Sequence, residues 1–409
     1  MAKEDLNIIL FTKYFPFNKE KEQTFILPEI NELKNIFKNI YLVPEIIIGN
    51  RYDLSNSFNV EETLAMDLQK ISFSKKIQTL FSFLFIKELF NIKFKKKKIR
   101  YAFATLLSAN VIKDSLIKLI HKRKIIDNLT LSSFWFDFST LGFVLLKKKH
   151  PNIVITSRCH NYDLYGNEEN SFYVPYQRYI VSNLDAVYPD SKFGVDFIKN
   201  LYPKAKCFSG LMGINDVGFQ NKPSNDNVFR IISCAHMIKR KRIDLFLDSL
   251  ILFSQKHKSL KVNWIHVGDG PERDDILKKS SQLEENCKAN FMGYLDSKEL
   301  MKFYKNNPID LFVNTSSKEG TPVSLMEAIC CGIPLMVTDF GGNREIANSG
   351  AGFLISENPS ESEIADKLYE IINSDYLKKC RHNCRVVWEE NYNSKINYKL
   401  YANHLISLK

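Results

Sequence analysis

The chain has 409 residues, 44% of them hydrophobic, which is more than one hydrophobic core usually organises. We therefore expect two domains of about 200 residues each. The formal net charge is +11, and nearly all of it comes from residues 87–124, where twelve basic residues stand against two acidic ones. This localised charge indicates an anionic partner surface rather than a generally basic protein, with a solvated helix face as the alternative.

The eight cysteines have no framework spacing, which favours free thiols in a reducing cytosol. No secretory leader precedes the first predicted strand, at about residue 7, and the longest apolar runs, such as residues 79–86, are too short to span a membrane. We therefore expect a cytoplasmic protein, with peripheral attachment to the inner face of the cell membrane as an option.

The first half of the chain alternates short β-branched segments with helical stretches, a pattern that predicts a parallel sheet covered by helices. The predicted strands are residues 7–12, 40–44, 131–134, 152–158, 186–189 and 206–211.

Residues 62–124 are predicted to be mostly helical, because no proline occurs between Pro44 and Pro151. Within them, the apolar residues of 81–90 directly precede the lysine run 95–98. An apolar body followed by a cationic end fits a helix lying on an anionic lipid surface. Core packing with a solvated end explains the same pattern, and the sequence leaves both open.

A second α/β series follows a polar linker at residues 215–227. Its predicted strands are residues 229–234, 263–267, 290–292, 311–314, 334–338 and 353–355. Ligands of such sheets bind beyond the carboxyl ends of the strands, so two sheets predict a binding cleft between domains.

One predicted helix start in the second half has the features of an anion site. We expect Thr321 to be its N-cap and Pro322 its first residue, with Gly332 ending the helix. The unpaired amides of Val323 and Ser324 would then attract a phosphate.

Two carboxylates and two glycines surround this helix start. Glu319 lies in the loop before the helix, and Glu327 lies in its second turn. After the next strand, Gly341 and Gly342 allow the backbone to approach a ligand where a Cβ would obstruct it. In this order, the pairs form a specific signature, whereas either pair alone would be an ordinary surface feature.

These residues resemble family 4 of the retaining glycosyltransferases, and the resemblance extends over nearly the whole chain. It implies the GT-B fold, an α/β fold of two Rossmann-like doubly wound domains facing a central cleft. Residues 1–215 would be the acceptor-binding domain, with the basic helical insertion at about 62–124. Residues 216–387 would bind the nucleotide-sugar donor. The segment beginning Trp388-Glu-Glu-Asn-Tyr resembles the crossover of such proteins, so residues of about 388–409 would return to the first domain.

Further motifs of the second half support the same resemblance. Residues 267–273 look like the family's strand-to-loop element, which includes Gly268; a dinucleotide fingerprint is poorly supported there, because Arg273 stands where its third glycine belongs. Residues 291–294, which include Gly293 and Tyr294, resemble an element that is often close to the nucleotide base.

Residues 233–244 resemble the family's phosphate-gripping loop, in which Lys241 matches the lysine of the family. Many members have an arginine where this chain has His236, and a histidine is not equivalent to a guanidinium beside a pyrophosphate. Arg240 or Arg242 would have to supply the second positive charge from a different backbone position.

In the first half, residues 157–165 resemble the family's acceptor-side histidine element, with His160 in the site. Residues 15–25 replace the glycine-rich loop of many members. They resemble a branch of polysaccharide-assembling members with a Phe-Pro and an acidic residue there.

The resemblance implies a role for each residue. Glu319 would bind the hydroxyls of the donor sugar and Glu327 those of the ribose, while Lys241 and the helix start stabilise the leaving diphosphate and His160 positions the acceptor. The catalytic residues would be Glu319, His160 and Lys241. The donor-binding residues would be Arg240, Arg242, Gly268, Gly293, Tyr294, Gly320, Thr321, Pro322, Val323, Ser324, Glu327, Gly341 and Gly342. We expect no metal and no cofactor, because the sequence has no Asp-x-Asp pair placed to bind a divalent ion.

The leading hypothesis is a retaining, metal-independent hexosyltransferase that moves a sugar from a nucleotide-sugar to a glycan or lipid-linked acceptor of surface polysaccharide or lipopolysaccharide. UDP as the nucleotide is inherited from the family. The alternatives are a nucleotide-sugar epimerase of the same fold and an inactive donor-binding partner subunit. Nucleic-acid binding has little support, because the basic window lacks a reader motif.

Overall fold

The computed structural model describes residues 6–17, 19–52, 58–166 and 173–409. The chain forms two compact units, one of residues Met1–Met212 with Ser394–Lys409 and the other of Gly213–Asn393. The first boundary therefore lies three residues before the predicted one. The return begins at Ser394 instead of about 388, because the helix Tyr376–Asn391 packs within the second unit.

The first unit is built on a six-stranded parallel sheet of order β3-β2-β1-β4-β5-β6. Its strands are β1 Asn7–Thr12, β2 Asn39–Pro44, β3 Asn59–Val60, β4 Leu129–Ser133, β5 Val154–Cys159 and β6 Ala186–Pro189. The central strand β1 is covered on both faces, which explains its continuous apolar run from Ile8 to Phe11.

The predicted strand at residues 206–211 is wrong. This segment runs beside β6 through hydrogen bonds such as Phe208 N to Val187 O (3.0 Å), yet it forms only the single bridge Val187–Cys207. The sixth strand is instead the two-residue β3, which is too short to give a sequence signal.

The predicted helical stretch 62–124 is confirmed, as four helices: α2 Thr63–Gln69, α3 Phe73–Leu80, α4 Phe83–Asn91 and α5 Lys96–Arg123. Ser72 and Ser82 cap α3 and α4 by accepting amide hydrogen bonds. The apolar stripe of α5 packs on the next helix, where Gly142 allows the close approach: a Cβ there would lie 2.7 Å from Ile112 Cγ2.

The other helices of the first unit surround the sheet. They are α1 Lys19–Leu33, α6 Phe138–Lys147, α7 Asn161–Tyr165, α8 Gln177–Val181, α9 Lys192–Leu201 and the C-terminal helix Ser394–Ser407, which is α17. The last of these closes over a buried ion pair, in which Arg158 Nε lies 2.7 Å from Glu29 Oε2. The Arg158 guanidinium also lies 4.1 Å from the ring centroid of Tyr401, on α17.

The second unit has its own six-stranded parallel sheet, of order β12-β11-β10-β7-β8-β9. Its strands are β7 Val228–Cys234, β8 Lys261–Val267, β9 Cys287–Phe291, β10 Leu311–Asn314, β11 Leu335–Thr338 and β12 Gly352–Ile355. Its helices are α10 Ile243–Lys256, α11 Arg273–Ser280, α12 Ser297–Asn306, α13 Val323–Cys330, α14 Gly341–Ile346, α15 Glu361–Ile372 and α16 Tyr376–Asn391. All six predicted strands of this half are present. No helix in the described part of the chain is long and apolar enough to cross a bilayer.

Candidate functional site

The predicted donor-side residues follow the carboxyl ends of strands of the second sheet. Lys241 follows β7, Gly268 follows β8, Glu319 follows β10 and Gly341 follows β11. In a parallel sheet these loops leave from the same edge, which is where ligands of open α/β sheets bind.

The helix start of α13 differs from the prediction by one residue. Pro322 is the N-cap, in an extended conformation, and Val323 is the first helical residue, so the prediction of Thr321 as N-cap is wrong. A proline side chain cannot accept a hydrogen bond, so the cap supplies no side-chain acceptor for the first amides of the helix. The C-terminal end is as predicted, with Gly332 at a φ of 74° directly after the C-cap.

Glu319 lies between two cations. Lys241 Nζ donates a hydrogen bond to Glu319 Oε1, and Arg240 Nη1 lies 3.7 Å from Glu319 Oε2. The glutamate is buried, whereas the Arg240 side chain is 44% exposed and also donates to Lys318 O at 2.9 Å. The structure therefore places two positive charges at one carboxylate beside the helix start.

Arg242 does not join this group, contrary to the prediction that it could supply the second charge. Its Nε donates to Thr315 O at 2.6 Å and its Nη2 to Glu357 O at 2.8 Å. The Arg242 guanidinium thus donates to the backbone carbonyls of two loops. The second cation at Glu319, besides Lys241, is Arg240. His236 is exposed, with Nδ1 at 3.3 Å from Asp269 O.

The glycine pair after β11 packs directly on the Glu319 loop. A Cβ on Gly341 would lie 2.5 Å from Glu319 O, and one on Gly342 would lie 2.1 Å from Gly320 O. Gly342 N donates to Gly320 O at 3.1 Å, which joins the two loops. The next residue, Asn343, is fully buried and its Oδ1 has no hydrogen-bond partner among the described residues.

Glu327 lies on α13 and is hydrogen-bonded to a serine. It is 6% exposed and accepts a hydrogen bond from Ser297 Oγ at 3.0 Å. Burial raises the pKa of Glu327 to about 7, and the bond from Ser297 lowers it in part. Sequence reasoning missed Ser297. The capping box Asp296–Glu299 marks the start of α12, but no sequence signal shows that Ser297 reaches another helix.

Gly268 and Gly293 join two further loops of this edge. Gly268 N donates to Gly293 O at 2.8 Å, and a Cβ on Gly268 would lie 1.9 Å from Ala235 O. Tyr294 follows with its side chain 52% exposed.

In the first unit, His160 follows β5 and is 8% exposed. Its ring stacks on Phe134 with centroids 5.0 Å apart, and Nδ1 lies 3.7 Å from Asp163 Oδ2. Neither ring nitrogen has a hydrogen-bond partner within the described ranges. The ring is therefore oriented by packing, and both of its nitrogens are buried without a hydrogen bond from a described residue.

A cavity of about 390 Å³ opens at the carboxyl ends of the first sheet, within the usual size range of small-molecule sites. Lys13, Glu45, Trp135, Asp137 and Asp163 are among the side chains that line it. Burial and the neighbouring Asp137 raise the pKa of Glu45 well above its usual value, and burial also raises the pKa of Asp137. Asp137 Oδ1 accepts from the amide (2.8 Å) and the hydroxyl (2.7 Å) of Ser139, which favours its carboxylate form, so we assign the proton of this pair to Glu45.

Glu22 orders the loop beside this cavity. Its Oε2 accepts from the amides of Tyr14 and Phe15, both at 2.7 Å, and its Oε1 accepts from Trp135 Nε1 at 2.7 Å. The acidic residue noted in the N-terminal loop sequence thus fixes the backbone and the indole. No group of three His, Cys, Asp or Glu side chains able to hold a metal ion occurs in the described part of either unit.

Residues 216–386 match the family model described as "Glycosyl transferases group 1". This range covers all six strands of the second sheet and the loops with Lys241, Glu319 and Glu327. The second unit is thus similar to this family along nearly its whole length.

Curated relatives of the chain carry glycosyltransferase names. A poly(ribitol-phosphate) alpha-N-acetylglucosaminyltransferase of Staphylococcus aureus is 29% identical over 170 residues, covering 40% of this chain and 32% of that protein. The chain thus spans about a third of that relative's length. An uncharacterized glycosyltransferase of Methanocaldococcus jannaschii is 23% identical over 414 residues, covering 96% of this chain and 91% of that protein.

Solved structures similar to the chain cover both units. The lipopolysaccharide outer core galactosyltransferase WaaB matches with a TM-score of 0.69 at 15% identity, covering 98% of this chain and 99% of that one. Anabaena HepE in complex with UDP and glucose matches with a TM-score of 0.65 at 15% identity, covering 98% and 100%. At this identity the likeness shows the fold, and the predicted GT-B fold is confirmed.

Proposed function

We propose that the chain is a retaining glycosyltransferase of family 4 that transfers a sugar from a UDP-sugar to a glycan or lipid-linked acceptor of a surface polysaccharide or lipopolysaccharide. Support comes from the group 1 domain, from relatives named for poly(ribitol-phosphate) and lipopolysaccharide core transfer, and from a structural neighbour that binds UDP and glucose.

The observation that carries the proposal is the group formed by Lys241, Arg240 and Glu319 beside the start of α13. During transfer, the bond between the anomeric carbon and the diphosphate oxygen breaks, and negative charge grows on the leaving group. Two cations and a helix start stabilise this charge without a metal. Glu319, once Lys241 turns to the diphosphate, accepts hydrogen bonds from the sugar hydroxyls. The acceptor oxygen forms the new bond, and its proton passes to the leaving phosphate.

Glu327 is proposed to bind the ribose. A buried carboxylate with one remaining oxygen suits the two adjacent ribose hydroxyls, which are hydrogen-bond donors. Its raised pKa means that nucleotide binding and loss of the Glu327 proton are coupled.

The acceptor is proposed to bind in the cavity of the first unit. Carboxylates accept hydrogen bonds from hydroxyl groups, and the Trp135 ring offers an apolar face for a sugar ring. His160, oriented by Phe134, positions the reacting hydroxyl. Because Glu45, Asp137 and Asp163 line this cavity, the sugar that enters it should carry no negative charge.

The test is turnover of a panel of UDP-sugars with polysaccharide and lipid-linked acceptors by the purified chain. Glu319→Ala should remove most transfer while the circular dichroism spectrum stays unchanged. The matched control is Glu285→Ala, an exposed acid before β9, which should transfer normally. Normal transfer by Glu319→Ala contradicts the proposal. Conversion of the donor to an epimer without acceptor would instead identify the epimerase alternative.

Two properties taken from the family need separate measurements. Activity should persist in EDTA, and loss of activity that magnesium restores would contradict metal independence. The product should keep the anomeric configuration of the donor, and an inverted product in the NMR spectrum would contradict retention.

We also propose that the insertion of the first unit attaches the enzyme to an anionic membrane surface. Five aromatic side chains on or beside α3 and α4 are more than half exposed: Phe73 (76%), Phe81 (78%), Phe83 (81%), Phe90 (67%) and Phe94 (55%). We call these five the aromatic face. The lysines at positions 93 and 95–97 are exposed beside them. Exposed rings beside lysines suit the interface of an anionic bilayer.

Vesicle sedimentation tests this attachment. Replacing Phe81 and Phe83 by serine should weaken binding to vesicles containing phosphatidylglycerol. Serine at the exposed Leu277 and Tyr369 of the second unit is the matched control and should leave binding unchanged. Equal binding by the two variants would contradict a membrane role for the aromatic face.

A further inference from the structure

A second cavity of the first unit, about 510 Å³ in volume, lies between α4 and the segment that leads into α8. Its lining includes the rings of Tyr173, Tyr176, Tyr179 and Tyr202, which we call the tyrosine pocket. It has no part in the donor or acceptor chemistry described above, and its volume is that of a small-molecule site.

The rim of the tyrosine pocket is strongly cationic. Lys87 and Arg178 line it, both are exposed, and neither forms an ion pair with a described residue. Lys98 Nζ lies 5.2 Å from the ring centroid of Tyr173, and Lys148 Nζ lies 5.2 Å from that of Tyr179. Two positive charges therefore line the cavity, and two more lie close to rings of its wall.

The single acidic side chain in the lining, Glu88, already accepts hydrogen bonds with both of its carboxylate oxygens. Glu88 Oε1 accepts from the hydroxyl of Tyr173 (2.5 Å) and the amide of Tyr176 (3.3 Å), and its Oε2 accepts from Asn91 Nδ2 (2.9 Å). In contrast, the hydroxyl of Tyr179 is buried and has no hydrogen-bond partner among the described residues. The pocket thus offers an unused hydroxyl and an excess of positive charge, which together suit a phosphate group.

The helix α4 relates this pocket to the aromatic face. Leu84, Lys87, Glu88 and Asn91 line the pocket at helical spacing. Phe83 and Phe90 each precede one of these residues, Leu84 and Asn91, by one position, and both belong to the aromatic face. Residues three or four apart share one side of a helix, so the two sets occupy adjacent sides, with Lys87 between them. Rings that enter a bilayer interface would hold the pocket at the level of the lipid headgroups.

We propose that the tyrosine pocket binds the phosphate headgroup of an anionic membrane lipid. The inference rests on the membrane attachment proposed above and gives it a specific ligand. Lys87 and Arg178 bind the phosphate oxygens, the hydroxyl of Tyr179 donates to one of them, and the apolar wall at Leu84 and Val174 contacts the glycerol. A soluble phosphate ester has the same chemistry, so the experiment separates the two sources.

The experiment measures binding of the full chain to vesicles of phosphatidylcholine with and without phosphatidylglycerol, and to glycerol 3-phosphate in solution. The pocket variant is Lys87→Gln with Arg178→Gln. The matched control is Lys96→Gln with Lys122→Gln, which removes the same charge from exposed positions of the insertion outside the pocket. Both variants lose general attraction to the surface, and the pocket variant should lose at least tenfold more affinity for phosphatidylglycerol vesicles.

Tyr179→Phe changes no charge and should weaken the same vesicle binding several-fold. Equal losses in the two double variants, with no effect of Tyr179→Phe, would mean diffuse electrostatic attraction and would overturn the proposal. So would pocket-dependent binding of glycerol 3-phosphate without any preference for the lipid vesicles. Sugar transfer to a soluble acceptor, measured on the same variants, should be unchanged. A chain that never transfers sugar yet shows the pocket-dependent vesicle binding would sink the glycosyltransferase proposal and leave the lipid pocket standing.

Discussion

The two units have the same kind of sheet but differ in the charged groups that predominate at the carboxyl ends of their strands. The second unit presents Lys241 and Arg240 beside glycines packed on backbone. The first presents the carboxyl groups of Glu45, Asp137 and Asp163 around one cavity. Under the proposed function, the charge of the loops would let one fold serve two kinds of ligand: cations and bare amides for a diphosphate, and hydrogen-bond acceptors for the hydroxyls of a sugar.

The largest effect should come from removing the charge of Lys241 in the second unit. Lys241→Ala should lower the turnover number by about a hundred- to a thousandfold, because the leaving diphosphate loses its nearest positive charge. Steady-state kinetics with a UDP-sugar measure this. Lys278→Ala, on the exposed side of α11, is the control. If only the KM for the acceptor changed, Lys241 would act on the acceptor, and its assignment to the donor diphosphate would be wrong.

A matched pair of variants examines the acidic cavity. Because Glu45 holds the proton and donates it to Asp137, Glu45→Gln keeps a neutral donor there and should change the acceptor KM less than about threefold. Asp137→Asn removes the charged acceptor of that bond and should raise the acceptor KM about tenfold, equivalent to about 1.4 kcal/mol. The KM for the donor should stay constant in both. Equal effects of the two changes would show that the proton is not on Glu45.

If Glu327 binds the ribose as proposed, its raised pKa should make nucleotide binding depend on pH. Ribose hydroxyls favour the carboxylate, so affinity for UDP should rise up to tenfold per pH unit below about 7 and level off above it. Stability has the opposite sign: a carboxyl pKa raised by folding contributes stability that is full below about 4.5, the unfolded value, and is lost as pH rises towards 7.

Calorimetry with UDP and thermal unfolding, both between pH 5 and 8, measure these two slopes. Glu327→Gln cannot ionise, so both slopes should flatten in that variant. Unchanged slopes would assign the titration to another group.

The smallest effect should come from Ser297→Ala. The loss of one hydrogen bond to Glu327 costs about 1 kcal/mol and should weaken UDP binding about fivefold. It should also move the midpoint of the pH dependence upwards, because that bond lowers the pKa of Glu327. A weaker affinity with an unmoved midpoint would indicate a packing effect only.

The sequence was sufficient for the features that arise from local patterns. Within the described residues, eleven of the twelve strands overlap segments predicted from the sequence, and Gly332 ends α13 as predicted. Local patterns failed where the position of a side chain depends on a hydrogen-bond partner that is distant in sequence. Arg242 is drawn to the carbonyls of Thr315 and Glu357, and Ser297 reaches Glu327 from another helix.

The residues that line the two cavities could not be predicted from the sequence either. The basic window indicated an anionic partner surface, but only the structure shows that Arg178, outside that window in sequence, joins Lys87 around the tyrosine pocket. The acidic cavity likewise collects Lys13, Glu45 and Asp163 from three separate strand ends. Such sites depend on the order of strands in a sheet, which short-range spacing does not encode.

The position of α17 has a consequence for biosynthesis. The second unit is one continuous segment, Gly213–Asn393, whereas the first unit receives Ser394–Ser407 only after that whole segment has been translated. Until then, the Arg158–Glu29 pair lacks Tyr398 and Tyr401, which contact the guanidinium in the folded chain. Domains generally fold as they emerge, so the unit that starts the chain should be the later of the two to be completed.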